Sequence, residues 1–183
     1  RTVEIAGLRL EIPKMYFDTR LKPGEKQDSM LLEVIWPEMR STHELKDKRE
    51  YDRIWREEHR GGWMLLEPAA IRPSLDTMVA NMDHGLTKKE VMNSVYGLDA
   101  SVGYHGSQVY AETYLKKGTN QQVTDYIHCV IGKSAVFPSC HHRFIDGPLL
   151  YDVNYNKAAF LHDWKAQRQR AIDFIRSFEV QPK

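Results

Sequence analysis

Cysteine, long hydrophobic runs and an excess of either charge are all scarce in this sequence. Its 183 residues include 2 cysteines, and 26 Lys and Arg residues stand against 25 Asp and Glu residues. The resulting net charge of +1 is unfavourable for broad nucleic-acid binding, which needs a surplus of positive charge facing phosphates. The apolar stretch at 30–36 is interrupted by a glutamate and falls short of the roughly 20 residues that a membrane-spanning helix needs.

Recognisable catalytic motifs are also missing. The sequence has no Gly-x-Ser-x-Gly elbow, no phosphate-binding glycine loop, no His-Glu-x-x-His and no dinucleotide fingerprint. His105 lies near Ser107, but the flanking glycines are typical of a turn. Glu57 and Glu58 are adjacent, so on a helix they would point in different directions. We therefore expect neither a catalytic residue nor a cofactor, with a hydrolase using His105 or the histidines near Cys140 as a less favoured alternative.

The composition is that of a globular protein, with 42% hydrophobic and 28% charged residues. The length fits one domain over 1–183, and no repeat or linker divides it. Alternating or apolar segments ended by proline or glycine predict a hairpin or bent strand followed by several strands. These segments are 2–12, 29–36, 63–67, 108–115, 123–131 and 141–154, with turns at 22–25 and 116–120. Residues 74–98 predict mixed helix and turn.

The C-terminal region carries the clearest helical pattern. Its apolar residues recur three or four positions apart and leave a polar face: Phe160, Leu161, Trp164, Ala171, Phe174, Ile175 and Phe178. Asn154 or Asn156 is the expected N-terminal cap. Strands followed by a covering helix, without regular βαβ alternation, predict an α+β fold, a mostly antiparallel sheet packed by a long C-terminal amphipathic helix.

Segment 43–60 is unusually charged, because twelve of its eighteen residues are Asp, Glu, Lys or Arg. The pattern predicts an exposed helix with opposite charges at helical spacing, and such a charge run is ordinarily a solvated surface. Since Trp and Arg are enriched at binding hot spots, a partner surface containing Arg53, Trp55 and Arg56 is the sharper hypothesis. Trp63 and Tyr104 are the other candidate partner-binding residues.

Cys129 and Cys140 lie in two predicted strands joined by a loop that contains Gly132 and Pro138. If the strands pair antiparallel, the two cysteines face one another, and opposed Cβ atoms about 4.5–5.5 Å apart are close enough for a disulfide after a small adjustment. Stable disulfides belong to oxidising compartments such as the periplasm. The sequence therefore predicts a protein that works outside the reducing cytosol.

A zinc site is the main alternative for the cysteines, because His128, His141 and His142 lie beside them. Zinc needs four converging ligands, whereas strand alternation would place His128 and His141 opposite one another on the face away from the cysteines. The paired Cys-x-x-Cys motif is also missing. We expect no metal, a partly exposed His128–His141 pair, and a disulfide, with a reduced cysteine pair as the remaining possibility.

Several segments resemble a known group of proteins. They are 138–144, 149–155, 160–164 and 174–178, together with 7–14 and the Trp36-Pro37 strand end. These segments are similar to small proteins exported to the periplasm of Gram-negative bacteria, often lipid-anchored, some of which are immunity proteins for type VI secretion effectors. The resemblance implies a non-enzymatic inhibitor that occludes the active site of a secreted toxin, such as a lipase or a peptidoglycan hydrolase.

The resemblance leaves open an accessory cell-envelope protein without a toxin partner. The chain begins at Arg1 rather than at a methionine, so we expect a processed start from which a signal peptide or lipid anchor could have been removed. Such an anchor is the only membrane contact that we predict. The expected partner is a secreted bacterial effector protein, and the expected location is the periplasm.

Overall fold

The computed structural model describes residues 1–16, 28–131 and 139–180. The predicted turn at 22–25 and the loop containing Gly132 and Pro138 lie outside these ranges. The strands are β1 (Thr2–Ile5), β2 (Leu8–Glu11), β3 (Met30–Ile35), β4 (Arg40–Ser41), β5 (Gly61–Pro68), β6 (Lys88–Val91), β7 (Asp99–His105), β8 (Gln108–Lys117), β9 (Val123–Val130), β10 (Ser139–Asp146) and β11 (Leu149–Asn156). The α-helices are α1 (Lys48–Asp52), α2 (Leu75–His84), α3 (Lys157–Phe160) and α4 (Trp164–Arg176).

Nine strands form one sheet in the order β4-β3-β5-β11-β10-β9-β8-β7-β6. Every neighbouring pair in it is antiparallel. The helical segment from Lys157 to Arg176 packs on one face, where Trp164, Ala171, Ile172 and Ile175 are buried. The predicted α+β class, a mostly antiparallel sheet covered by the C-terminal helix, is confirmed.

The first two strands form a separate hairpin that secures the end of the C-terminal helix. The chain reverses at Ala6 and Gly7, both of which have positive φ, so the hairpin rather than the bent strand of the sequence prediction is confirmed for 2–12. The backbone N–H of Glu11 donates to the carbonyl of Phe178, and the N–H of Val180 donates to the carbonyl of Arg9. The two ends of the described chain therefore support each other through backbone hydrogen bonds.

The start of the C-terminal helical segment matches the predicted cap. The side chain of Asn156 accepts a hydrogen bond from the backbone N–H of Ala159 at 3.0 Å, which satisfies one of the free donors of the first turn. A short 3₁₀ turn over Leu161–Asp163 then separates α3 from α4. No helix in the described ranges is long and apolar enough to cross a membrane.

Several elements of the structure differ from the sequence prediction. Segment 141–154 is not one strand, because Asp146 and Gly147 form a turn in which Gly147 has φ +56° and splits it into β10 and β11. An Asp-Gly pair between apolar runs is itself a hairpin signal, so this turn could have been predicted. The charged segment 43–60 contains the five-residue α1 and a π-helical turn over Arg53–Glu57, and β7 was not predicted.

The two cysteines lie directly opposite each other on β9 and β10, and they form a disulfide. Both are fully buried in the main core beneath the C-terminal helix. The predicted register and the predicted covalent bond are therefore confirmed.

We expect the double substitution Cys129→Ala/Cys140→Ala to lower the free energy of unfolding by about 2–3 kcal/mol, since the bond closes a short loop in the unfolded chain. Urea unfolding in the absence of reductant measures this loss. Wild-type protein unfolded in dithiothreitol is the matched control and should show a similar loss. An unchanged midpoint in both experiments would contradict the stabilising role.

Candidate partner-binding surface

Strand alternation gives the nine-stranded sheet two chemically different faces. The inner face carries the C-terminal helix, and His142 on this face lies 5.9 Å from the ring of Trp164. Strand residues adjacent in sequence to the inner-face residues point to the opposite face of the sheet, which we call the outer face. The outer face is covered at one end by α2, where Leu75 packs with Tyr126 and Leu150.

A continuous cross-strand row crosses the uncovered part of the outer face. Glu33 pairs with Trp63, Trp63 with Asn154, Asn154 with His141, and His141 with His128. In such a row, directly opposite Cβ atoms lie about 4.5–5.5 Å apart. The rings of Trp63 and His141 meet edge to face, with centroids 5.1 Å apart. We call this row of five residues the outer row.

Trp55 lies on the same face as the outer row. A Cβ atom built on Gly61 would overlap the Trp55 indole, so the ring packs directly over the strand two positions from Trp63. Tyr51 stacks on Trp55 with centroids 4.8 Å apart and an angle of 8° between the rings. Trp55 is therefore held within the chain, and Tyr51, which is 37% exposed, is accessible to a partner.

Next to the outer row, a carboxylate joins a histidine and an arginine side chain. Asp152 accepts from Nε of Arg143 at 2.8 Å and lies 3.2 Å from Nδ1 of His141. Burial alone would raise the pKa of Asp152, but the hydrogen bond with His141 and the charge of Arg143 hold that pKa below its ordinary value. The group is therefore an ionised, internally neutralised cluster that fixes the orientation of His141.

His128 is more enclosed than the predicted partly exposed pair implied. Its exposed fraction is 5%, because the rings of Tyr110 and Tyr126 lie about it with centroids 6.3 and 6.2 Å away. Burial, with smaller contributions from His141 and Arg143, lowers its pKa to about 4. The predicted pairing of His128 with His141 is confirmed, whereas the expected exposure is wrong for His128.

A second polar cluster lies on the inner face and serves the fold. Nε2 of the fully buried His142 lies 3.1 Å from Asp125, and Nε of Arg168 on α4 lies 3.0 Å from the same carboxylate. Burial lowers the pKa of His142 despite the attraction of Asp125. A neutral His142 that donates from Nε2, with Arg168 compensating Asp125, ties the helix to the centre of the sheet.

The predicted partner-binding residues do not form one surface. Arg53 pairs with Glu58 at 3.1 Å, and Arg56 pairs with Asp52 at 3.4 Å. Trp55 and Trp63 share the outer face. Tyr104 faces the inner side, five strands further along the sheet, or about 24 Å at ordinary strand spacing.

Tyr104 is also engaged locally, since its hydroxyl donates to Glu90 at 2.8 Å. Sequence reasoning missed Glu33 and Tyr51 as surface residues. The period of two in β3 could have placed Glu33 outward, but its alignment with Trp63 depends on a pairing that the sequence does not show.

His105, one candidate residue of the hydrolase alternative, lies at a tight turn. His105 packs against Tyr110 with ring centroids 4.3 Å apart, at a turn where Gly106 has φ +59°. This matches the turn predicted around Ser107. Among the described residues, no group of three or more His, Cys, Asp or Glu side chains is placed to hold a metal ion.

No family model matches the sequence, and no curated protein matches it. Two solved structures share its fold. One is an immunity protein of the Stenotrophomonas maltophilia type IV secretion system, with a TM-score of 0.67 and 15% identity over 99% of this chain and 93% of the other. The second is an iron-regulated outer membrane lipoprotein of Neisseria meningitidis, with a TM-score of 0.56 and 12% identity over 97% of this chain and 91% of the other. The chain therefore has the same fold as these two proteins along nearly its whole length.

The lowered pKa of His128 predicts that acid destabilises the protein. An unfolded histidine binds a proton below about pH 6.5, whereas native His128 does so only near pH 4. The free energy of unfolding should therefore decrease as the pH is lowered from about 6.5 to about 4, by at most about 1.4 kcal/mol per pH unit. Above about pH 6.5, His128 should have no effect on it. His128→Gln should make this pH dependence of the free energy of unfolding, measured with urea, less steep. The part of the pH dependence that is due to His142 should remain. An unchanged slope would contradict the assignment.

The packing of Trp55 on Gly61 predicts a specific steric effect. Gly61→Ala should displace the indole and lower the free energy of unfolding by about 1–3 kcal/mol, the usual cost of overpacking. Intrinsic tryptophan fluorescence and urea unfolding measure both effects. Gly85→Ala is the matched control, because its Cβ would meet no atom closer than 3.5 Å. Equal behaviour of the two variants would contradict the contact.

Proposed function

We propose that this chain, acting as a single domain, is an immunity protein that binds a secreted antibacterial effector without catalysing a reaction. The main support is the fold, which it shares over 99% of its length with an immunity protein. The buried disulfide supports action in an oxidising compartment. The effector meets its target in the periplasm, and the immunity protein occludes the effector's active site there.

The outer row is the proposed docking surface. It combines the half-buried ring of Trp63 with His141, which is held in place by Asp152, and Arg143 lies next to the row on the same carboxylate. Aromatic residues and arginine are enriched at binding hot spots, and rigid side chains lose less entropy on binding. Among the five residues predicted from sequence, we keep Trp63 as a direct contact. Trp55 supports Tyr51, and Arg53 and Arg56 flank the surface.

We also propose which reaction the effector catalyses. Toxins that act in the periplasm attack phospholipid or peptidoglycan, so we propose a lipase or a peptidoglycan hydrolase. The sequence resemblance favours a type VI effector, whereas the immunity protein of similar fold belongs to a type IV system. The amino-acid sequence of the captured effector will decide between the two routes.

An accessory cell-envelope protein is the second candidate function. The observation that favours it is the shared fold with an iron-regulated outer membrane lipoprotein, over 97% of this chain. Such a protein would associate with envelope components and would not inhibit an enzyme. The two candidates therefore differ in whether binding abolishes a partner's activity.

We expect the purified protein to capture one effector from envelope and secreted fractions of its host, and to abolish that effector's hydrolase activity at a 1:1 ratio. Trp63→Ala should weaken inhibition by at least about tenfold, as expected for a hot-spot aromatic residue. Tyr104→Ala, on the opposite face, is the matched control and should inhibit like the wild type. Circular dichroism checks that both variants are folded.

Cellular protection tests the compartment. An effector directed to the periplasm should be neutralised by this protein when it carries an export signal, and not when it remains in the cytoplasm. Stable binding without loss of hydrolase activity would sink the immunity proposal and favour the envelope-protein alternative. Equal protection by both forms would refute the periplasmic location.

A further inference from the structure

One end of the outer row carries an exposed carboxylate surrounded by aromatic rings. Glu33 is exposed and lies directly opposite Trp63 on the neighbouring strand. Gly61, over which Trp55 packs, is diagonal to Glu33 at an ordinary Cβ separation of about 7–8 Å. Tyr51 stacks on Trp55 and completes the group. We call Glu33, Tyr51, Trp55 and Trp63 the aromatic–carboxylate patch.

Glu33 is held in position, but no cation among the residues that the structure describes is its counter-ion. Its carboxylate accepts a hydrogen bond from the hydroxyl of the buried Thr42 at 3.0 Å. Across the described ranges, no cationic side chain forms an ion pair with it. The neighbouring arginines bind other carboxylates: Arg40 binds Glu44, Arg53 binds Glu58, Arg56 binds Asp52, and Arg60 binds Glu38 and Glu58.

The negative charge of Glu33 also reaches the ring above it. Burial first, and then the charges of Glu33 and Asp52, raise the pKa of Tyr51. This agrees with the contacts that place Tyr51 over Trp55 at this end of the sheet. A group that entered the patch would therefore meet aromatic rings together with a negative charge that no cation in the described part of the chain compensates.

The side chain of arginine is suited to bind aromatic rings and a carboxylate together. The planar guanidinium of arginine stacks on aromatic rings, attracts them within about 6 Å, and donates to a carboxylate in the same geometry. A lysine ammonium is more strongly hydrated and does not stack. We propose that the aromatic–carboxylate patch binds an arginine side chain presented by the partner protein. This inference rests on the proposed function for the identity of the partner, but the site itself is complete within this chain.

The sequence hypothesis for this region places arginines, not a carboxylate, against the partner. Arg53 and Arg56 were expected to project into a partner, but each is paired with a carboxylate of its own segment. The carboxylate beside the aromatic rings is that of Glu33, and it forms no ion pair with a described residue. The structure therefore supplies the acceptor of an intermolecular arginine contact.

The test uses the whole protein and N-acetyl-arginine methylamide as the probe, with the indole N–H resonances of Trp63 and Trp55 followed by NMR. We expect saturable shifts of both resonances with the arginine probe. The neutral citrulline analogue should give none, and Glu33→Gln should weaken binding by about fivefold, a size typical of one exposed charge contact. Tyr51→Ala should weaken it similarly.

Glu11→Gln is the matched control, since it neutralises an exposed strand glutamate in the separate N-terminal hairpin. It should bind the probe like the wild type. Equal shifts with citrulline, or unchanged affinity in Glu33→Gln, would overturn the arginine site while leaving effector binding intact. Arginine-selective, Glu33-dependent binding would uphold the site even if no effector were inhibited.

Discussion

The pairing of β9 with β10 at the middle of the nine-stranded sheet is the constraint on which the other features depend. The Cys129–Cys140 bond fixes that register covalently. Because side chains alternate along a strand, a shift of one residue would exchange the two faces. It would expose His142 and the cysteines and would bury His141. The same register therefore sets both the core beneath the C-terminal helix and the chemistry of the outer row.

Polar groups reinforce this arrangement on both faces. On the inner face, Asp125 connects His142 to Arg168 and so ties the central strands to α4. On the outer face, Asp152 connects His141 to Arg143. A buried carboxylate lowers the stability of the fold unless it is paired, and an arginine compensates each of these two. The outer cluster leaves rigid side chains at the surface, as a binding surface requires.

The contrast between Asp152 and Glu33 is the basis of the proposed arginine site. Asp152 is neutralised within the chain and serves to orient His141. Within the described ranges, Glu33 is held by the Thr42 hydroxyl and forms no ion pair, and it lies beside aromatic rings, so we propose that its charge is available to an incoming cation. A shared fold does not by itself specify what a protein binds. The distribution of compensated and uncompensated charge on that fold supplies the specific hypothesis.

The sequence by itself determined several local elements and the disulfide. The period of two around Cys129 and Cys140, the helical spacing after Asn156 and the Ala6-Gly7 turn are local signals, and each one has its predicted outcome in the structure. Tertiary structure alone decided which distant strands became neighbours. Glu33, Trp63 and His141 are far apart in sequence, and only the register of four strands aligns them. The burial of His128 and the separation of Tyr104 from Trp63 have the same cause, because both depend on strand order, which residue spacing does not encode.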